Sequence, residues 1–205
     1  MVKLDFYNKY RNTNNIMSFI NSIIKIFVGD KSQNDVKALQ PYLTKIKGFE
    51  SSLMALSNDE LRARTEKKKK KIKQARAEKD AKIAALQQEV ETIEDIDQRE
   101  EIYVAIDALE KEAYEISEKT LMEILPEAFA VVKETARRFK DNTQIEVTAT
   151  PKDREFSATK TYVTIEGEKA VWANSWNAAG KQITWDMIHY DVQLIGGMVL
   201  HEGKV

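Results

Sequence analysis

The residues that could do chemistry are few in this sequence, and their spacing excludes the common catalytic sites. There is no cysteine, which excludes thiol nucleophiles, thiolate metal sites and disulfides. His189 and His201 lie outside any HExxH zinc pattern, and no GxSxG nucleophile motif is present. The stretch from Gly197 to Lys204 resembles a phosphate-binding loop, but five residues rather than four separate its glycines, and Val205 follows the lysine where Ser or Thr is required. The sequence therefore predicts no catalytic residue and no metal ligand.

Length and composition are sufficient for one ordinary core, or for a core with an appendage. The chain has 205 residues, of which 42% are hydrophobic, and its formal net charge is −1. A nearly balanced charge produces no overall field that would attract nucleic acid, so we expect no specific nucleic-acid partner. The absence of cysteine permits a reducing compartment, and a cytoplasmic location is the default expectation.

The first 57 residues divide into a leader and helices. Residues 1–16 are polar without a clear period, which predicts a disordered leader or an artefact of gene prediction. From Phe19 to Val28 apolar residues recur at helical spacing, which predicts an amphipathic helix. This helix either packs on the protein's own core or docks on a membrane surface or partner groove. A second helical stretch follows, and Gly48 is expected to break it.

A pair of charged helices is predicted between residues 58 and 120. Ser57 and Glu60 form a capping-box pattern, and Asp97 is a candidate cap for the second helix. Two apolar series have heptad-like spacing: Ile83, Leu86, Val90 and Ile93, then Ile102, Ile106, Leu109, Ala113 and Ile116. Folding back near residues 94–97 would bring both series together as an antiparallel hairpin. The run from Lys67 to Lys71 is interpreted as a solvated helix face rather than an RNA or phospholipid site, because no aromatic residue interrupts it.

After Thr143 the hydrophobic period changes from helical to two. Alternating or β-branched stretches at 145–149, 162–165 and 183–185, separated by Pro151, Gly167 and residues 177–180, predict an antiparallel sheet of three or four strands. We interpret Trp172, Trp176 and Trp185 as the core of this sheet rather than as a ligand box.

Two blocks of sequence carry a family resemblance. Leu125–Glu134 (LPEAFAVVKE) is similar to the LPEAFAVVRE helix of the SecA preprotein translocase ATPases, and residues 187–200 (MIHYDVQLIGGMVL) resemble the HFDVQLLGGMVL segment of that family. Leu56–Leu61 (LSNDEL) resembles the family's LSDEEL motif, and the helix over 19–28 resembles its N-terminal amphipathic helix. The resemblance covers roughly half of the chain.

The departures from the family pattern are two insertions and a missing loop. The charged hairpin separates LSNDEL from LPEAFAVV, the β-rich stretch separates the two blocks, and the family's GEGKT-type loop would follow Val205. The resulting division is a leader at 1–16, N-terminal helices at 17–57, a hairpin insertion at 58–120, a motor-domain helix at 121–142, a β-rich insertion at 143–186 and an adenine-motif segment at 187–205.

The resemblance implies that Gln193 occupies the adenine-recognition position of a nucleotide cleft. A carboxamide presents one donor and one acceptor, which match the N7 acceptor and N6 amino donor of adenine. It also implies a polar cleft-rim role for Asp191 and apolar or stacking roles for Tyr190 and Met187. ATP, with Mg²⁺ in the complete protein, is the expected ligand, and tight binding to this chain alone is not expected.

The predicted fold is α+β: a mainly helical N-terminal part, a helical (coiled-coil) hairpin, a small antiparallel sheet, and the beginning of a P-loop motor domain. The resemblance implies an N-terminal fragment of an ATP-driven translocation motor, inactive alone, at the cytoplasmic membrane periphery. The implied partners of the complete protein are the SecYEG translocon, preproteins and anionic phospholipid, and self-association is also open. The alternative is a non-enzymatic coiled-coil adapter or scaffold that binds through the hairpin.

Overall fold

A computed structural model describes residues 30–203. The predicted leader at 1–16 and the amphipathic helix at 19–28 lie outside the described residues. The helices are α1 Asp30–Met54, α2 Asn58–Val90, α3 Ile96–Asp141, α4 Pro151–Thr159 and α5 Asp191–His201. The strands are β1 Gln144–Thr148, β2 Val163–Glu166, β3 Lys169–Ala173, β4 Ser175–Ala178 and β5 Lys181–Thr184. The predicted α+β class is confirmed.

The chain divides into two compact units. The larger one contains Lys45–Tyr190, and the described part of the smaller one contains residues 30–44 and 191–203. The division falls within α1, which continues without a break through Gly48. The expectation that Gly48 ends this helix is therefore wrong, since a single glycine costs only about 1 kcal/mol within a helix that packing supports elsewhere.

The helices α2 and α3 form an antiparallel hairpin in the larger unit. Ile83 and Val90 of α2 and Ile106 and Ala113 of α3 are buried, so the predicted apolar series form the seam. Four ion pairs cross between the helices, and their numbering runs in opposite directions, as an antiparallel pair requires: Lys79–Glu112, Lys71–Glu123, Lys68–Glu127 and Arg64–Glu127.

The predicted N-terminal cap is correct for the first helix of the hairpin and wrong for the second. Ser57 Oγ accepts from the Glu60 backbone N–H at 3.2 Å, and the Ser57 N–H donates to Glu60 Oε2 at 2.7 Å, which confirms the capping box. The second helix begins one residue after Asp95, whose Oδ1 accepts from the Gln98 backbone N–H at 3.0 Å. Asp97 lies within the first turn, so its expected capping role is wrong.

The helix α3 runs through the predicted boundary at residue 120. It has 46 residues and includes Pro126, so the hairpin and the LPEAFAVV block share one continuous helix. The division into insertion and motor helix stays a prediction based on the family pattern. The lysine run is mostly exposed, but Lys68 is buried and contacts Glu127 at 3.0 Å, so this side chain belongs to the helix interface.

The segment after α3 forms two small antiparallel sheets rather than one. The first has the order β1–β3–β2, and β4 pairs with β5 in the second. Ile145, Val147 and Ala170 form the core of the first sheet, with Trp172 packed against it. The β4–β5 turn has positive φ at both Ala179 and Gly180, the geometry of a tight hairpin turn. The helix α4 was not predicted, although Pro151 at its first turn and Thr150 as its cap are standard start signals.

The interpretation of the tryptophans as core residues is correct only for Trp172. All three indoles are half-buried, and Trp176 lies in the separate β4–β5 hairpin. Strand β5 is exposed along its whole length, whereas β4 is half-buried at Trp176, so this indole lies outside the core of the first sheet.

Candidate functional site

The adenine-motif segment begins in the larger unit. Met187 is 38% exposed and Tyr190 is 74% exposed. The backbone carbonyl of Met187 accepts a hydrogen bond from Trp185 Nε1 at 2.9 Å, and the same indole N–H lies 3.1 Å from the Ala136 carbonyl. The backbone before the motif is therefore fixed on α3, while Met187 is partly exposed and Tyr190 largely exposed.

The rest of the segment forms α5 in the smaller unit. Leu194, Ile195 and Met198 are buried, whereas Val192, Gln193 and Leu200 are exposed, so the helix has one buried and one exposed face. Asp191 lies in the first turn, where its negative charge complements the helix dipole. Gln193 thus presents a carboxamide on the accessible face of α5, close to its N-terminus. Asp191 and Gln193 belong to this unit, and Met187 and Tyr190 belong to the larger one.

The structure also describes most of the stretch that resembles a phosphate-binding loop. Gly197 lies within α5, so the stretch towards Lys204 begins as helix and not as a phosphate-binding loop. Within residues 30–203 no group of three His, Cys, Asp or Glu side chains could hold a metal ion. Over the same range no helix is long and apolar enough to cross a membrane.

The structure reveals a positioning network on α3 that the sequence reasoning missed. Arg138 donates to Glu134 Oε1 at 2.8 Å, to Asn58 Oδ1 at 2.7 Å and to the backbone carbonyls of Leu53 and Leu56 at 3.0 and 2.7 Å. Arg137 donates to both carboxylate oxygens of Glu134. Burial alone would raise the pKa of Glu134, but the hydrogen bonds from Arg137 and Arg138 outweigh it and lower the pKa. The i, i+4 spacing of Glu134 and Arg138 was the sequence feature that could have indicated their ion pair.

A second network joins α2, α4 and the first sheet. Asp153 is 1% exposed; it accepts hydrogen bonds from Arg62, from the Thr150 hydroxyl and backbone N–H at 2.6 and 2.8 Å, and from Trp172 Nε1 at 3.2 Å. Burial by itself would raise the pKa of Asp153, but the hydrogen bonds from Arg62 and Thr150 lower it to about 2. The first turn of α2 also binds β1, because Asp59 accepts from the Thr148 N–H and hydroxyl at 2.8 and 2.7 Å.

The first of these networks joins two of the segments that carry the family resemblance. LSNDEL supplies Leu56 and Asn58, and the helix that contains LPEAFAVV supplies Glu134 and Arg138. In a comparison with known protein families, the model described as the SecA DEAD-like domain matches residues 24–205. The chain belongs to the SecA family.

Three similar relatives are all named protein translocase subunit SecA. The one from Flavobacterium psychrophilum is 71% identical over 189 residues, the one from Christiangramia forsetii 58% over 189 residues, and the one from Bacteroides fragilis 48% over 185 residues. These alignments cover 92%, 92% and 90% of this chain. No solved structure matches it.

This SecA chain spans 17% of the length of those relatives and corresponds to an N-terminal segment of them. The alignments run through both segments that were interpreted as insertions, since about nine-tenths of the chain is matched. The hairpin and the β-rich stretch are thus present in these relatives too, although they depart from the commoner family pattern. The recognition of the family from two short blocks is confirmed.

Proposed function

We propose that this chain carries the adenine-contacting segment of an ATP-driven motor that moves polypeptides across the cytoplasmic membrane. The observation that carries the proposal is the exposed carboxamide of Gln193 near the N-terminus of α5, in a chain that belongs to the SecA family. The relatives are named as protein translocase subunits, which supports the substrate class.

The side chain of Gln193 on α5 carries the donor and the acceptor that an adenine base requires. The Gln193 carboxamide can accept from the N6 amino group and donate to N7, which reads adenine and rejects guanine, since guanine presents two acceptors on that edge. The family resemblance assigns a polar cleft-rim role to Asp191 and apolar or stacking roles to Met187 and Tyr190. When bound, ATP would supply the phosphate-transfer free energy that drives movement.

The described residues do not fit the other end of the nucleotide. Within 30–203 there is no carboxylate or histidine grouping for a metal, and the glycines of α5 lie in a helix. Magnesium and the phosphates would therefore be held by other parts of the complete protein. In this proposal the 205-residue chain recognises the adenine base, and the hydrolytic step belongs to other parts of the complete protein.

The proposed partners follow from the same family assignment. They are the SecYEG channel, secreted preproteins and anionic phospholipid, with the complete protein bound peripherally at the membrane. The family match over residues 24–205 includes the hairpin, which supports a translocase segment over a separate adapter protein.

The test uses the complete protein that contains this segment. Gln193→Ala should lower kcat/KM for ATP by about 5- to 150-fold, because it removes a bidentate contact worth about 1–3 kcal/mol while the phosphate contacts stay in place. The ratio of kcat/KM for ATP to that for GTP should fall with it. Val192→Ala, at an exposed neighbouring position, is the matched control and should leave both values unchanged. An unchanged ATP-to-GTP ratio in Gln193→Ala would rule out Gln193 as the adenine reader.

A further inference from the structure

A cavity of about 580 Å³ lies in the larger unit, between α3 and the β-rich segment. Val131, Val132 and Phe139 line it from α3, and Trp172 and Trp176 line it from the strands. This volume falls within the range of about 300–1,000 Å³ that is typical of small-molecule sites. Neither the family assignment nor the proposed adenine contact uses this cavity.

The lining of the cavity is aromatic and uncharged. Five aromatic side chains contribute to it: Phe139, Tyr162, Trp172, Trp176 and Trp185. None of the described lining residues is Asp, Glu, Lys or Arg, although 32% of the chain is charged. A charged ligand would lose hydration here without gaining an ionic partner, so the lining favours an uncharged molecule with an apolar, planar body.

The rings that form the wall are held in place before any ligand arrives. Trp172 Nε1 donates to Asp153 Oδ1 at 3.2 Å, and Trp185 Nε1 donates to backbone carbonyls at 2.9 and 3.1 Å. The Tyr162 ring lies 6.3 Å from that of Trp172 and 6.5 Å from that of Trp176, in tilted and edge-on arrangements. A ligand therefore meets a preformed surface and loses little affinity to the ordering of side chains.

One polar atom in this region has no partner. His189 lines the cavity, and its Nδ1 is buried without a hydrogen-bond partner among the described residues. Buried polar atoms are almost always hydrogen-bonded, because an unmet donor or acceptor is costly away from water. An imidazole nitrogen can accept or donate, so a ligand with one hydrogen-bonding group beside its ring would satisfy it.

We propose that this cavity is a binding site for an uncharged, planar aromatic small molecule bearing one N–H or O–H group. The ring system lies among Trp172, Trp176 and Trp185, and the polar group pairs with His189 Nδ1. The inference is separate from the proposed adenine contact, because Gln193, Asp191, Met187 and Tyr190 are not among the residues that line this cavity.

The test is a titration of the 205-residue chain with N-phenyl-1-naphthylamine, a neutral two-ring amine, followed by energy transfer from tryptophan. The chain has three tryptophans and all three line the cavity, so a probe bound there should receive efficient transfer, and the variants below locate the binding. We expect a Kd on the order of 10 μM for a ligand of this size. The matched probe 8-anilinonaphthalene-1-sulfonate has the same rings plus a sulfonate and should bind about 10-fold more weakly or worse. Equal or tighter binding of the sulfonate would overturn the assignment.

Two variants localise the binding. Val132 is 51% exposed and lines the cavity, so Val132→Arg should fold and should weaken naphthylamine binding by about 10-fold or more by placing a charge in the apolar lining. Val104→Arg, on the same helix but outside the cavity and 63% exposed, is the control and should bind as the parent does. His189→Phe keeps a ring but removes Nδ1, and should weaken binding by about 5-fold. If Val132→Arg and His189→Phe both bind like the parent, the cavity is not the site.

Discussion

At the scale of single residues, Arg138 joins three parts of the larger unit at once. It is 8% exposed and donates to the Glu134 carboxylate, to the Asn58 side chain and to the end of α1. Arg138→Met should lower the free energy of unfolding by about 3–5 kcal/mol, because it leaves buried acceptors without their donor. Urea denaturation followed by circular dichroism measures this loss.

The neighbouring arginine provides the control for that prediction. Arg137 contacts the same carboxylate, but about a third of its side chain is exposed, so Arg137→Met should cost only about 1 kcal/mol or less. Equal losses from the two substitutions would contradict the buried-network interpretation and would indicate that Glu134 alone sets the stability.

The lowered pKa of Asp153 predicts that the stability of the fold depends on pH. Its folded-state pKa, about 2, lies below the unfolded value, so its contribution is fully present above about pH 4 and is lost as the pH falls towards 2. The contribution at neutral pH should be about 2 kcal/mol. Asp153→Asn should lower stability at pH 7 and flatten the stability curve between about pH 4 and 2, as measured by urea midpoints at each pH. A curve in the variant as steep as that of the parent would assign the acid sensitivity to other carboxylates.

At the scale of elements, the hairpin is predicted to fold from its own seam and ion pairs. A peptide of residues 58–120 should be mostly helical by circular dichroism, because the buried seam and the Asp95 cap of the second helix lie within it. Leu109→Pro should remove much of that helicity, since proline costs about 3 kcal/mol in a helix interior. Leu109→Ala, which keeps the backbone N–H, should retain most of it, and a random-coil spectrum for the parent peptide would contradict the prediction.

At the scale of the whole molecule, the 205-residue chain should bind nucleotide weakly and should not hydrolyse it. Its sequence contains no GxxxxGK[ST] motif, and phosphates carry most of the charge by which a nucleotide is normally held. Isothermal titration calorimetry with MgATP should give a Kd in the millimolar range or weaker, and a phosphate-release assay should show no turnover. A micromolar Kd would indicate a phosphate site within this chain that its sequence does not reveal.

Local patterns determined much of this protein. The capping box at Ser57, the heptad-like series of the hairpin and the change to alternating residues after Thr143 depend on spacing within a few turns, which sequence displays directly. The SecA family was recognisable from residues 125–134 and 187–200, because the order and content of two blocks coincide. The role of Gln193 stays a prediction, which the nucleotide kinetics would test.

Tertiary packing decided the rest. Gly48 and Pro126 lie within continuous helices because contacts elsewhere along each helix outweigh a local cost. Strand β3 pairs with β1, which precedes helix α4, whereas β4 pairs only with the adjacent β5, so the hydrophobic period along each strand could not show the division into two sheets. The Arg138 and Asp153 networks and the tryptophan-lined cavity join residues tens of positions apart. Sequence shows which side chains are present, but only the folded chain brings their polar atoms and rings together.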